Sequence, residues 1–192
     1  GGSLLLQAPP GAGKTTRVPL ALLEHLPAEA GTILMLEPRR LAARAAAARL
    51  ASSLNEEVGQ TVGYRVRLEQ RTSAATRLEV VTDGVFLRRL QADPGLSSVA
   101  CVIFDEFHER RAEADLALAL LREARPVLHP ELRLLVMSAT LNLAPLAQRL
   151  REATVITSEG RSHPVAISHQ PPRPDESLAR QVQRALEQHW LE

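Results

Sequence analysis

The chain has 192 residues, 45% hydrophobic and 23% charged, which is enough apolar material for the core of one ordinary globular domain and excludes a disordered segment. A formal net charge of +1 excludes a protein that grips nucleic acid by bulk charge, so any basic patch has to be argued from position. The single cysteine, Cys101, excludes a disulfide framework, and no apolar run approaches the roughly 20 residues of a membrane span, so a cytoplasmic location with no membrane partner is expected.

In chain order, short runs rich in Val, Ile and Leu recur at SLLLQA, TILMLE, TRLEVVT, VACVIFD, LRLLVMS and ATVIT. They do not alternate, which is the pattern of strands buried on both faces. Helical spacing between them predicts helices over 15–26, 41–54, 84–91, 112–128 and 143–151. Strands alternating with helices predict an α/β fold, a mostly parallel sheet with helices on both faces. Residues 62–68 alternate in a way that suits an exposed or edge strand. Beyond Ser158 the chain becomes rich in Pro and Ser before a helical SLARQVQRALEQHW, with Asp175 and Ser177 as candidate caps and Trp190 as an anchor. The expected division is therefore a domain over 1–158 and a linker with one helix over 159–192. The opening Gly1, Gly2 and Ser3, with a strand directly behind them, read as the edge of an excised piece.

The first strand runs into APPGAGKTT, which contains Lys14, the only lysine among 23 Lys and Arg residues. Residues 8–15 fit the phosphate-loop pattern G-x-x-x-x-G-K-[ST], with Ala8 in place of the first glycine. Gly11 and Gly13 let the backbone wrap close to phosphate oxygens, and the amides of Ala12, Lys14, Thr15 and Thr16 open a helix whose dipole favours an anion. A compact ammonium reaches between phosphates where a planar guanidinium does not fit, which accounts for Lys14 in an arginine-rich chain. Thr15 offers a hydroxyl to Mg²⁺. The bland alternative is a glycine-rich turn before a helix.

VACVIFDEFHER sets Asp105 and Glu106 at the end of a buried strand. In a phosphate-loop fold that strand lies beside the loop, so Asp105 is expected to hold Mg²⁺ through water and Glu106 to polarise the attacking water. Acids favoured at a helix N-terminus are the competing explanation.

Here a resemblance appears. DEFH, with Phe107 where the family has Ala, resembles motif II of the DEAH-box helicases of superfamily 2. EPRRLAARAAAARLA, VGYRVR, TDGVFLRRL and SAT resemble further motifs in that family's order, and the spellings of the loop and of DEFHER are most similar to its HrpB-type branch. The resemblance implies a RecA-like phosphate-loop domain, the first of two, that uses ATP and Mg²⁺ in an ATP-dependent RNA helicase. It implies sequence-blind binding of single-stranded RNA by its backbone, through Arg39, Arg40, Thr82, Asp83 and Gly84; solvated surface is the other reading of the arginines. Arg49 matches a family arginine that stacks on adenine, or is an exposed helix residue. Ser138 and Thr140 are expected to link Asp105 and His108 to domain movement, and no second His or Cys lies at zinc-ligand spacing from His108. Arg65 and Arg67 either follow the same RNA strand or do not. Nothing resembles the motifs by which a second RecA-like domain supplies arginine fingers, and RSHPVAI resembles the crossing toward that domain. A phosphate-loop ATPase that never touches RNA and a nucleotide-dependent RNA clamp or scaffold are the rival functions.

Overall fold

The computed structural model describes residues 2–139, 144–150, 153–159, 166–171 and 173–189. They fall into two units, Gly1–Gly160 and Arg161–Glu192.

The first unit is built on an eight-stranded sheet. In chain order its strands are β1 (Ser3–Gln7), β2 (Thr32–Glu37), β3 (Val62–Val66), β4 (Glu69–Arg71), β5 (Leu78–Thr82), β6 (Val99–Phe104), β7 (Arg133–Ser138) and β8 (Thr154–Thr157). The spatial order is β4-β3-β5-β2-β6-β7-β1-β8, and every pairing is parallel except the β3–β4 hairpin. β6 is buried along its whole length and β2 along all but its first residue, as unalternating apolar runs require when both faces are covered. Successive side chains point to opposite faces, so Leu34 and Leu36 enter one core while Ile33 and Met35 enter the other.

Helices α1 (Lys14–His25), α2 (Arg40–Ser53), α3 (Asp83–Ala92), α4 (Ala112–Leu128) and α5 (Ala144–Arg149) complete the unit. On α2, Ala43, Ala46, Ala47, Leu50 and Ala51 form one buried face at helical spacing, which joins Ile33 and Met35. On the opposite side Phe86 and Leu90 of α3 and Ala114, Ala117, Leu118 and Leu121 of α4 cover Leu34 and Leu36. The mostly parallel sheet with helices on both faces is the α/β arrangement that the sequence pattern predicts.

Two local expectations change. Residues 62–66 are not an edge: β3 lies between β5 and β4, and Val62, Tyr64 and Val66 are buried. The edge is β4, whose short polar EQR carries no strand signal. β8 is not buried on both faces; it is a sheet edge exposed at all four positions. β7 separates the strand before Asp105 from β1, and that strand still ends beside the phosphate loop, as expected.

In the second unit, α6 (Leu178–His189) begins as the sequence suggests. Arg180 N–H donates to Ser177 Oγ at 3.4 Å, so Ser177 takes the cap, and Asp175 adopts a left-handed turn with φ 62°. Arg184 of α6 clasps Glu176 through Nε at 3.1 Å and Nη2 at 2.8 Å. Trp190 lies outside the described residues.

Candidate nucleotide and nucleic-acid site

Parallel strands bring their carboxyl ends to one edge of the sheet, the place where open α/β sheets bind ligands. Ala8, Glu37, Thr82, Asp105 and Ser138 all stand at or directly after such ends.

The phosphate loop leaves β1 at Ala8, whose N–H donates to the Ser138 carbonyl at 3.1 Å and pins the root of the loop to β7. Gly11 and Gly13 both take left-handed φ, 77° and 85°, which a side chain would strain. Gly13 caps α1 with no side-chain bond, and the first turn carries no acid, so the helix N-terminus faces the loop without a protein anion to compete. Lys14 is only 6% exposed; its Nζ donates to the carbonyls of Ala8 and, at 3.0 Å, Pro9.

Asp105 is fully buried, and the structure joins it to the loop: Thr15 Oγ1 donates to Asp105 Oδ2 at 2.6 Å. Its other oxygen accepts the Glu106 N–H at 2.8 Å. Glu106 has a left-handed backbone, φ 49°, which directs its side chain away from the strand line. Its Oε2 lies 3.3 Å from His108 Nε2, while His108 Nδ1 accepts the Ala139 N–H at 3.3 Å. Those bonds require the Nε2–H tautomer, so a neutral His108 donates to the Glu106 carboxylate and ties it to the end of β7. Ser138 is buried, and Thr140 lies outside the described residues.

Sequence reasoning passed over Glu37. Burial, first, and then the charges of Asp105 and Glu106 raise its carboxyl to about 8. Its signal was available: like Asp105, it is an acid that ends an apolar strand. Sequence reasoning also passed over Arg111, which sits one residue before α4. Arg111 Nε donates to Asp83 Oδ2 at 2.6 Å and Nη2 to Oδ1 at 3.3 Å. Burial alone would lower this guanidinium, but the bond to Asp83 and the surrounding acids outweigh it and raise it. The Asp83 carboxylate is thus turned inward and satisfied, and it offers no exposed acid to a nucleic acid; Thr82, capping α3 without a side-chain bond, stays at the surface end of the turn with Gly84.

Arg39 and Arg40 are adjacent in sequence but diverge, since successive residues entering a helix point in different directions. Arg39 lies 3.8 Å from Glu109 and Arg40 3.8 Å from Glu69, both loose, exposed pairs. A cleft of about 380 Å³ brings Arg39 and Arg49 together with Thr15, Thr16, Glu37 and Glu106. Arg65 is committed to the buried Glu79 at 2.7 Å, which Arg89 also grips at 2.8 Å. Thr15 and Asp105 offer the hard oxygens that suit Mg²⁺, and a cation there would relieve the crowding of Glu37, Asp105 and Glu106. No cluster of three or more ligating side chains that could hold a metal occurs among the described residues; Mg²⁺ characteristically needs only one or two protein donors beside phosphates and water. No helix among the described residues is long and apolar enough to cross a membrane.

Residues 1–148 match the family model of the DEAD/DEAH box helicases. The chain is 56% identical over 168 residues to ATP-dependent RNA helicase HrpB of Escherichia coli K12, covering 88% of this chain and 21% of that one. It is 42% identical over 159 residues to the human putative ATP-dependent RNA helicase DHX57, covering 81% of this chain and 11% of that one. The crystal structure of the E. coli DEAH/RHA helicase HrpB superposes with a TM-score of 0.88 at 50% identity, over 100% of this chain and 24% of that one. The chain therefore spans about a fifth of the length of HrpB.

Proposed function

Because the chain belongs to the DEAD/DEAH box helicase family, we propose that it is the ATP-binding and ATP-hydrolysing first motor domain of an RNA helicase. The observation that carries the reading is the 2.6 Å bond from Thr15 to Asp105, which brings the phosphate loop and the acid pair within reach of one another and so supports a shared ligand. Were the two on opposite sides of the sheet, no single triphosphate could meet both.

The residues divide the work. The amides of Gly11, Ala12, Gly13, Lys14, Thr15 and Thr16 cradle the phosphates, and Lys14 exchanges its carbonyl partners for phosphate oxygens. Thr15 and Asp105 would hold Mg²⁺, which would supply neutralisation of charge on the phosphate oxygens. Glu106 orients and polarises the attacking water, and His108 keeps its carboxylate turned to that task. Arg49 borders the same cleft and flanks the base. Arg39, Arg40, Thr82 and Gly84 contact the backbone of single-stranded RNA without reading sequence, and Asp83 serves that turn from inside. Ser138, at the end of β7, and Thr140 couple the nucleotide to domain movement. A second RecA-like domain of the same polypeptide, toward which residues 159–192 lead, completes the transition-state charge. The short span relative to HrpB supports this, and residues 1–192 alone are then poor catalysts. A cytoplasmic location suits the free buried Cys101, whose thiol burial pushes up to about 12.

The test is Glu106→Gln in the full-length protein. Hydrolysis falls by roughly 10² to 10⁴, nucleotide affinity is kept, and displacement of a paired RNA strand stops. A clamp that uses nucleotide only to hold RNA would tolerate the change.

A further inference from the structure

Glu106 has to be held in place by something. Its backbone is left-handed, as is that of Arg110 at φ 51°, and residues 107–109 between them form a single 3₁₀ turn. Non-glycine residues in that region are strained and persist only where neighbours over-determine them. His108 holds the Glu106 carboxylate from one side. From the other, Arg111 Nη1 donates to the Glu106 carbonyl at 3.4 Å and lies 3.6 Å from Glu109 Oε2, while the rest of its guanidinium is locked on Asp83. The side chains of Arg111 and Asp83 are 15% and 7% exposed, so this is a desolvated two-pronged pair and not a surface contact. Asp83 is the first residue of α3, next to Thr82 at the end of β5.

We propose that Arg111 is a positioning residue for hydrolysis: anchored by Asp83, it fixes the backbone of Glu106 and so ties the turn of Thr82, Asp83 and Gly84 to the group that orients water. The inference rests on the proposed role of Glu106. It makes Asp83 a carrier of position and not an RNA ligand, and it gives RNA at Thr82 and Gly84 a path of two side chains to the hydrolytic site. The planar fork is essential, because one side chain must reach a carboxylate and a carbonyl together; a lysine can keep the charge pair and cannot span both.

The experiment measures steady-state ATP hydrolysis by the full-length protein, with and without poly(U) RNA, for Arg111→Gln, Arg111→Lys, Asp83→Asn and the Asp83→Asn/Arg111→Gln double variant. Expected is a fall in kcat of about tenfold for each single variant, with KM for ATP within about twofold of the parent. The double variant loses about tenfold and not a hundredfold, because both changes cut one connection. In all four the ratio of RNA-stimulated to basal rate drops toward one. Arg111→Lys regains the parent's melting temperature without regaining kcat. Losses that multiply in the double variant overturn the proposal. So does a lysine variant that recovers kcat, or a kcat unchanged in variants whose melting temperature falls, since those describe a pair that only stabilises the fold. Should Arg111→Gln fail to fold, Arg111→Lys and Asp83→Asn carry the same comparison. Glu106→Gln assayed in parallel separates the two failures: if it still hydrolyses ATP, the role of Glu106 falls; if it is inactive while the Arg111 variants are normal, only this inference falls.

Discussion

Around the phosphate loop the polar groups are buried or half-buried and bonded to one another: Lys14 to loop carbonyls, Thr15 to Asp105, Glu106 to His108. Along the surface read for nucleic acid, the arginines stand in solvent, Arg39 and Arg40 with side chains 76% and 57% exposed and ion pairs no shorter than 3.8 Å. The first region suits chemistry, where a dry, fixed arrangement makes each charge count. The second suits a partner that slides, because exposed cations bind phosphates without committing to one geometry. Substitutions in the first region should therefore act on rate, in large steps, and in the second on affinity, in small salt-dependent steps.

The largest expected effect is at Lys14. Lys14→Arg keeps the charge, yet a guanidinium does not fit a cradle that already holds Nζ against the Pro9 carbonyl at 3.0 Å. Hydrolysis should drop by about 10³-fold, and a fluorescent ADP analogue should bind more weakly, with little change in melting. Retained activity would mean that the charge alone matters and that the buried region is less exacting than the comparison holds.

Phe107→Ala tests the support beneath that region. All three phenylalanines of the chain form one edge-to-face series: Phe86 lies 6.2 Å from Phe104, and Phe104 lies 6.0 Å from Phe107. Removing the buried terminal ring should cost about 3 kcal/mol of stability, read by chemical denaturation. The substitution restores the DEAH spelling, so an unchanged stability would show that the ring is incidental.

The sheet, its helices and the core of the site were legible in advance because each rests on a local signal. Unbroken apolar runs mark β2 and β6, the glycines and single lysine mark the loop, and two acids after an apolar strand mark the carboxylates that meet it. What escaped depends on contacts distant in sequence. Arg111 is one of 22 arginines, and its partner Asp83 lies 28 positions away, so no local pattern distinguishes it. β4 is three polar residues whose only reason to be a strand is the hairpin with β3. Arg39 and Arg40 read as a pair because adjacency in sequence looks like adjacency in space, and the helix start separates them.

Glu37 sharpens the contrast through pH. Its folded value of about 8 lies above the ordinary 4.5, so the folded protein holds this proton more tightly than the unfolded chain. The contribution is fully present below about pH 4.5 and is lost as pH rises toward 8, the reverse of an ordinary paired carboxylate. In EDTA and without nucleotide, Glu37→Gln should match the parent near pH 5 and melt higher at pH 9. A difference of about 1 kcal/mol corresponds to roughly 2–4 °C in a chain of this size. Equal melting at both values would mean that neither burial nor the neighbouring acids hold the proton on Glu37.

The smallest effects belong to the exposed arginines. Arg39→Ala and Arg40→Ala should leave melting within about 0.5 kcal/mol, since exposed ion pairs contribute little. Each should weaken binding of single-stranded RNA by a few-fold, equally for poly(A) and poly(U). Each should also reduce the slope of log affinity against log salt by about 0.7, the value for one phosphate contact on a single strand. Because the two side chains turn to different acids, Glu109 and Glu69, their losses should add in the double variant. Arg39 also borders the cleft lined by Thr15 and Glu106, proposed to take nucleotide, so its substitution alone should shift ADP affinity as well. A loss confined to one RNA sequence, or a slope that does not change, would remove these arginines from the phosphate-binding surface and leave them as solvated charge.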